Sequence, residues 1–225
     1  MKYLVSSLIL AALPLLATAA NLQLTVLGSD GKPAADVAVQ LLPAAPWSVL
    51  PPAEPVRIVQ RNLRFVPFVS VVPAGGTVRF VNRDRYDHHV RSQAGGPLGN
   101  IAPAQQFEFR MAAFKGEKES TADLKLDTPG VIALGCHLHG SMRGHLLVTS
   151  TPWVAVTDEQ GRATLPQLPD GQAELKLWHP EQLTDQAPLR LQLAGDQSAE
   201  ARVNFAPRRR PPPTTAPPRS GDYTF

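Results

Sequence analysis

The sequence has only one cysteine, Cys136, so the chain cannot form a disulfide within itself. In an exported protein a lone cysteine is buried and inert, paired with another chain, or bound to a metal. Tryptophan and tyrosine are scarce, with three residues each, and the net charge of +3 is mild. No basic patch with interleaved aromatic residues appears, which argues against nucleic-acid binding. At 225 residues and 43% apolar content, the chain has room for one large or two small domains.

Long apolar runs are also lacking, apart from residues 4–16, which follow Met1-Lys2-Tyr3. A charged start, a short apolar run and the small residues Ala17-Thr18-Ala19-Ala20 are typical of a secretory signal. We predict that residues 1–20 are a signal peptide, cleaved after Ala19 or Ala20, and that the protein is periplasmic. No later run is long enough for a transmembrane helix, so no stable membrane insertion is expected after cleavage. A retained membrane anchor is the alternative.

Helical periodicity is absent, since no segment keeps a 3.6-residue apolar repeat over three turns. Short stretches alternate instead between apolar and polar residues, which predicts an all-β fold. Two of them, residues 22–27 and 36–41, flank a turn at residues 28–33 and are predicted to form a hairpin. Later turns at residues 157–162 and 168–171 are predicted to be hairpin turns as well.

The segment from Gly130 to Gly144 concentrates groups that bind metals. It contains Cys136, His139 and Met142 in the spacing C-x-x-H-x-x-M. Thiolate, imidazole and thioether are donors that suit copper, and a trigonal His2Cys set with a weak axial Met defines blue-copper sites. The segment supplies three of these four donors, so the second histidine must come from elsewhere.

A candidate for that histidine is His88, which follows Asn82 by six residues. The two segments together resemble the cupredoxins, most closely the amicyanin-like branch of these plastocyanin-like blue copper proteins. The resemblance implies a Greek-key β-sandwich over residues 56–150. It also implies one type 1 copper ion, bound by His88, Cys136, His139 and Met142. The chain departs from the family pattern beside the ligands, at His89, His137 and Leu138.

Neighbours of the ligands are expected to support the site. Adjacent strand residues point to opposite faces, so only one of His88 and His89 can face the metal. The six-residue step from Asn82 favours His88, and the resemblance implies that the backbone N–H of His89 reaches the sulfur of Cys136. Asn82 is expected to tether the two ligand-bearing segments, the alternative being an ordinary strand-end Asn. The resemblance also places an electron-portal patch at the surface, formed by Leu138, His139 and Gly140.

A second resemblance concerns the two ends of the chain. The T-D-x-x-G-R motif at residues 157–162 and the L-P-x-G motif at residues 168–171 resemble the carboxypeptidase regulatory-like (transthyretin-like) β-sandwich. That family has a D-G-K-P-A-x-D-V segment before these motifs, which stands here at residues 30–37. We therefore predict a discontinuous domain of residues 21–43 and 151–206, with the cupredoxin domain inserted. Two consecutive domains are the alternative.

Further motifs carry a resemblance to exported proteins. They lie around Gln60, Val66-Pro67, Pro129-Gly130, Cys136 and Trp178-His179-Pro180, and their order resembles bacterial exported proteins of the "methylamine utilization" type. Residues 207–225 are rich in Pro and Arg and are predicted to form a disordered tail. The tail would be solvated or would contact an acidic partner or lipid headgroups.

The residues suggest four candidate functions. A periplasmic type 1 copper protein that carries single electrons to a transient redox protein partner is the leading hypothesis, and it is not an enzyme. A copper-trafficking protein is the alternative, although after signal cleavage only Met111 and Met142 remain as thioethers. Copper oxidases and nitrite reductases need further paired His motifs, and six histidines in this arrangement cannot supply a trinuclear cluster. A β-sandwich interaction module is the fourth possibility. Whatever the function, Zn2+ would bind the same donors as copper.

Overall fold

The computed structural model describes residues 20–49, 52–116 and 118–208, and within them the chain forms sixteen β-strands and no α-helix. The all-β prediction is therefore confirmed for the described residues. The predicted signal peptide lies outside them except for Ala20, and so does the predicted tail beyond Arg208. No described segment forms a helix long and apolar enough to cross a membrane.

One pair of sheets is built from the middle of the chain. Its four-stranded sheet has the order β4-β3-β6-β9, and its five-stranded sheet has the order β5-β11-β10-β7-β8. The strands of the first sheet are β3 (Val56–Arg61), β4 (Arg64–Val66), β6 (Gly76–Asn82) and β9 (Ser120–Leu126). Those of the second are β5 (Val69–Pro73), β7 (His88–Gln93), β8 (Glu108–Met111), β10 (Gly130–Cys136) and β11 (Arg143–Thr149). Both sheets contribute to one core, in which Phe80 from β6 and Leu134 from β10 are buried, so they form a sandwich.

A second pair of sheets combines the two ends of the described chain. The sheet orders are β13-β1-β16 and β12-β2-β14-β15, and the two sheets share a separate core. The strands are β1 (Ala20–Leu27), β2 (Ala38–Pro43), β12 (Val154–Val156), β13 (Arg162–Leu168), β14 (Gly171–Trp178), β15 (Leu189–Leu193) and β16 (Gln197–Arg202).

The predicted hairpin at residues 22–41 is wrong. Its turn exists, with Leu27 bridged to Pro33, but β1 and β2 belong to opposite sheets. The turns at residues 157–162 and 168–171 likewise connect strands of different sheets, β12 to β13 and β13 to β14, and are not hairpin turns. Strand alternation predicts which face a residue occupies, and it does not decide which strand becomes its neighbour.

The two sandwiches pack together through the outer face of the five-stranded sheet. Leu146 and Val148 point into the middle sandwich, whereas Leu147 between them joins Val69 and Ala38 in a small separate cluster. Val131 and Trp178 pack against the same cluster. Strands buried on both faces read as continuous apolar runs, which explains the segment L-L-V in β11.

Candidate metal centre

Three donor atoms converge at one end of the middle sandwich. They belong to His88 on β7, to Cys136 at the end of β10, and to His139 in the loop that follows β10. Antiparallel pairing of β7 with β10 sets Val90 opposite Cys136, so that His88 and the loop after Cys136 meet. Sγ of Cys136 lies 3.6 Å from Nδ1 of His88 and 3.5 Å from Nδ1 of His139. The two Nδ1 atoms are 3.2 Å apart. Among the described residues this is the one group of three or more His, Cys, Asp or Glu side chains whose donor atoms all lie within 4.8 Å of one another.

The triangle has the size that a first-row metal ion requires. Bonds of about 2.05 Å to nitrogen and about 2.3 Å to sulfur, at tetrahedral angles, separate two nitrogens by roughly 3.3 Å and nitrogen from sulfur by roughly 3.6 Å. The observed sides of 3.2, 3.5 and 3.6 Å agree with these values. Two imidazoles and a thiolate are also the equatorial donors of blue-copper sites. The residues therefore fit a copper ion.

Met142 completes the predicted set of four donors. Its side chain is fully buried in the same core cluster as Cys136. The loop that carries it contains a tight turn, in which the N–H of Met142 donates to the carbonyl of His139 at 3.0 Å. Arg143 reinforces the loop by donating from Nη1 to the carbonyl oxygens of Gly140 at 2.6 Å and Met142 at 2.9 Å. The structure thus brings the four predicted ligands to one end of the sandwich.

The surroundings of Cys136 favour its thiolate. Burial acts to raise the pKa of the thiol, but hydrogen bonds from His88 and from the backbone N–H groups of His89, Leu138 and His139 together hold it below the usual value. The N–H of His89 lies 3.4 Å from Sγ, which agrees with the contact expected from the sequence. A thiolate is the form that binds metals, so the site is prepared for a cation.

A carboxylate that the sequence analysis missed contacts the Nε2 side of the His88 ring, opposite the donor cluster. Nε2 of His88 lies 2.9 Å from Oδ2 of Asp84, and both side chains are buried. Burial lowers the pKa of His88, but the hydrogen bonds with Asp84 and Cys136 outweigh it and raise the pKa above its usual value. With the carboxylate at Nε2, the ring is oriented so that Nδ1 faces Cys136, and Nδ1 can bind a metal ion once its proton is released.

Asp84 is itself fixed by the backbone. Its carboxylate accepts hydrogen bonds from the N–H groups of Asn62 at 2.5 Å and Leu63 at 3.0 Å. Both residues have positive φ, 52° and 57°, in the turn between β3 and β4. Burial raises the pKa of Asp84, while the bonds with His88, Leu63 and Asn62 together hold it below its usual value. The only signal in the sequence was an acidic residue in the loop that leads to a candidate ligand.

Asn82 supports the His88 loop, and its hydrogen bonds differ from the predicted tether. Its Nδ2 donates to the carbonyl oxygens of Tyr86 at 2.8 Å and Ala112 at 2.9 Å, and its Oδ1 accepts from the N–H of Asp84 at 2.8 Å. These bonds tie the loop to the end of β8 and not to the Cys136 segment. The residue therefore positions Asp84 and His88 together.

The predicted portal patch lies at the surface above the cluster. Leu138 is 50% exposed, Gly140 is exposed, and His139 is half-buried. The sequence analysis missed Tyr86, which is 42% exposed and meets the ring of His139 edge-on at a centroid distance of 6.3 Å. Burial, and then the nearby His88, lower the pKa of His139, which keeps its imidazole neutral and able to bind a metal.

Comparisons with known proteins give partial matches of fold. No protein-family model matches the sequence, and no curated protein is similar enough in sequence to count as a match. Among solved structures, amicyanin from Paracoccus versutus is 21% identical over 48% of this chain and 97% of its own, with a TM-score of 0.34. A purple cupredoxin from Nitrosopumilus maritimus is 18% identical over 42% of this chain and 99% of its own, with a TM-score of 0.34.

The copper-containing nitrite reductase NirK from Thermus scotoductus SA-01 is 20% identical over 48% of this chain, with a TM-score of 0.37. The chain spans only 25% of the length of that enzyme. All three matches cover less than half of the present chain. The case for a metal site therefore rests on the distances and donor types found in the chain itself.

Proposed function

We propose that the chain is a type 1 copper protein that carries single electrons. The observation that supports this most strongly is the triangle of one Sγ and two Nδ1 atoms, which has both the size and the donor types of a blue-copper site. Met142, buried in the same core cluster as Cys136, is the candidate for the weak axial donor. Copper held by such a set exchanges one electron at a time.

The supporting residues would keep the donors in place when the charge of the site changes. Asp84 holds the ring of His88, and the N–H of His89 supports the sulfur of Cys136. Arg143 braces the loop of His139 and Met142. Groups that are already bonded and buried move little, and a small rearrangement lowers the barrier to electron exchange.

Electrons would enter and leave through His139, which alone among the three clustered ligands reaches the surface. The exposed apolar groups of Leu138 and Tyr86 lie around it. Contacts between transient redox partners are small, under roughly 1,200 Å2 of buried surface. We infer that a redox protein docks on the portal patch, and that the chain works in the periplasm after signal cleavage.

We also propose that the two ends of the chain form one discontinuous domain of the carboxypeptidase regulatory-like type. In support of this, β1 and β2 pair with strands that follow residue 153, and they share a core with them. The resemblance to exported "methylamine utilization" proteins stays a prediction.

The proposal is tested by cycling the copper-loaded protein between its two oxidation states. Ascorbate should bleach the blue colour, and ferricyanide should restore it fully, without loss of copper to a Cu(I) chelator present throughout. Zinc-loaded protein is the control and should show no redox response. Loss of copper to the chelator upon reduction would contradict electron carriage and favour copper trafficking.

A further inference from the structure

Two histidines whose imidazoles are not part of the buried cluster face each other on the outer surface of the five-stranded sheet. His89 and His137 are cross-strand neighbours, because the N–H of His137 donates to the carbonyl of His89 at 2.9 Å. Their rings stack with centroids 5.5 Å apart and an interplanar angle of 24°. His137 is exposed and the side chain of His89 is 32% exposed, so solvent reaches both imidazoles.

A carboxylate lies beside this pair. Oε2 of Glu108 on β8 is 4.0 Å from Nε2 of His89, and its side chain is 65% exposed. Two imidazoles and a carboxylate, all accessible from solvent, are ligands for divalent first-row ions. His89 and His137 are opposed across neighbouring strands, where Cβ atoms stand about 5 Å apart. Glu108 is a diagonal neighbour of His89, because it stands opposite Arg91, and diagonal neighbours about 7–8 Å apart are within reach of a long side chain.

The positive groups nearest the pair are engaged elsewhere. Arg110 stands directly opposite His89 in the β7–β8 ladder, but its Nη2 donates to Oδ2 of Asp87 at 2.7 Å. Arg91 is the next residue of β7 on the same face, and it lies against the amide of Gln93. With its oxygen turned toward Arg91, that amide accepts from Nε at 3.0 Å and from Nη2 at 3.1 Å. Neither guanidinium is held in the space between the two imidazoles.

We propose that His89, His137 and Glu108 form a second metal site, which binds a divalent ion such as Zn2+ or Cu2+ at the surface. The site is separate from the buried cluster, because His88 and His89 point to opposite faces of β7. It is nevertheless connected to that cluster through Cys136, since His137 follows Cys136 in the chain and the N–H of His89 lies 3.4 Å from Sγ.

This connection gives the second site a consequence for the first. A bound dication adds positive charge close to the thiolate of Cys136, and positive charge favours Cu(I) over Cu(II). Zinc at the surface pair should therefore raise the reduction potential of copper in the buried cluster. Occupancy of the outer site would then tune the electron carrier.

The test is a calorimetric titration of the copper-loaded chain with Zn2+. One further equivalent should bind, with the blue absorption retained and the reduction potential raised. His89→Ala and His137→Ala should each remove this equivalent, and Glu108→Gln should weaken it. Gln192→Ala, on an exposed position of β15, is the control and should leave it unchanged.

Titration of the metal-free chain separates this inference from the proposed function. If both sites exist, the chain takes up two zinc ions and His137→Ala takes up one. If only the surface pair binds metal, the chain takes up one and the variant none. The proposal would be overturned if His89→Ala and His137→Ala took up as many zinc ions as the unaltered chain.

Discussion

The carboxylate of Asp84 lies 2.9 Å from Nε2 of His88, on the side of the ring opposite the donor cluster. It is the one buried acidic group among the described residues, and two backbone N–H groups hold it in place. A carboxylate behind a ligand histidine raises the basicity of the ligand and fixes its orientation. It would also place a negative charge near a copper ion bound by the cluster, and negative charge favours Cu(II) over Cu(I).

Replacing Asp84 by Asn should therefore raise the reduction potential and weaken copper binding by about 10- to 100-fold. Asp123→Asn is the matched control, because it makes the same change of charge at an exposed residue that is paired with Arg79. Voltammetry and competition with a copper chelator measure the two effects. Equal potentials for Asp84→Asn and the unaltered protein would show that the carboxylate does not act on the metal.

The acid stability of the metal-free protein should also depend on Asp84. Its pKa is lower in the folded state than the ordinary value of about 3.9, so its stabilising contribution is complete above that value. The contribution is lost as the pH falls through the lowered pKa. The free energy of unfolding should then decline more steeply below about pH 4 in the unaltered protein than in Asp84→Asn. Denaturant unfolding at a series of pH values measures this, and parallel curves would contradict it.

Gly144, beside the ligand loop, should not tolerate a side chain. A Cβ there would lie 2.9 Å from Cβ of Phe65, which is buried and cannot move away easily. Gly144→Ala should cost about 1–3 kcal/mol of stability. Gly135→Ala is the matched control, because its Cβ would meet only the amide end of Gln93, a flexible side chain. Denaturation midpoints compare the two, and equal losses would refute the steric explanation.

The two sandwiches should unfold together. All three tryptophans, Trp47, Trp153 and Trp178, lie outside residues 56–149, and Trp178 packs against the cluster between the sandwiches. Their fluorescence therefore reports on the sandwich of the chain ends and on its contact with the middle one, whereas a blue absorption would report on the middle sandwich. Leu147→Ala removes a contact between the sandwiches and should separate the two transitions. Leu146→Ala removes a contact within the middle sandwich and should lower both transitions together.

The cost of either substitution should be about 2–5 kcal/mol, so overall stability alone does not tell them apart. The measurement that does is the difference between the two midpoints in denaturant. Midpoints that coincide in Leu147→Ala would mean that the cluster of Ala38, Val69 and Leu147 does not couple the sandwiches.

Some of the structure could be predicted from the sequence because it depends on short-range pattern. The spacing of Cys136, His139 and Met142 puts three donors on one short loop, and alternation separates His88 from His89. Other features depend on which segments meet in space. β3 was not predicted as a strand, since it buries the polar Gln60, whose amide donates to Sδ of Met111 at 2.9 Å.

The same limit explains the errors in strand pairing and the missed residues of the site. β1 and β2 alternate as predicted, yet each pairs with strands more than a hundred residues away in the sequence. Asp84 reaches His88 only because the turn at Asn62 and Leu63 anchors its carboxylate. Neither fact is encoded in a local apolar pattern.

The most direct test is the addition of one equivalent of Cu(II) to the purified protein. An intense blue colour from thiolate-to-copper charge transfer is expected, with a small copper hyperfine splitting in the EPR spectrum. Met142→Leu should keep the colour and alter the potential, and Cys136→Ser should lose the colour. A colourless Cu(II) complex, or a blue colour that survives Cys136→Ser, would contradict a copper ion bound by His88, Cys136, His139 and Met142.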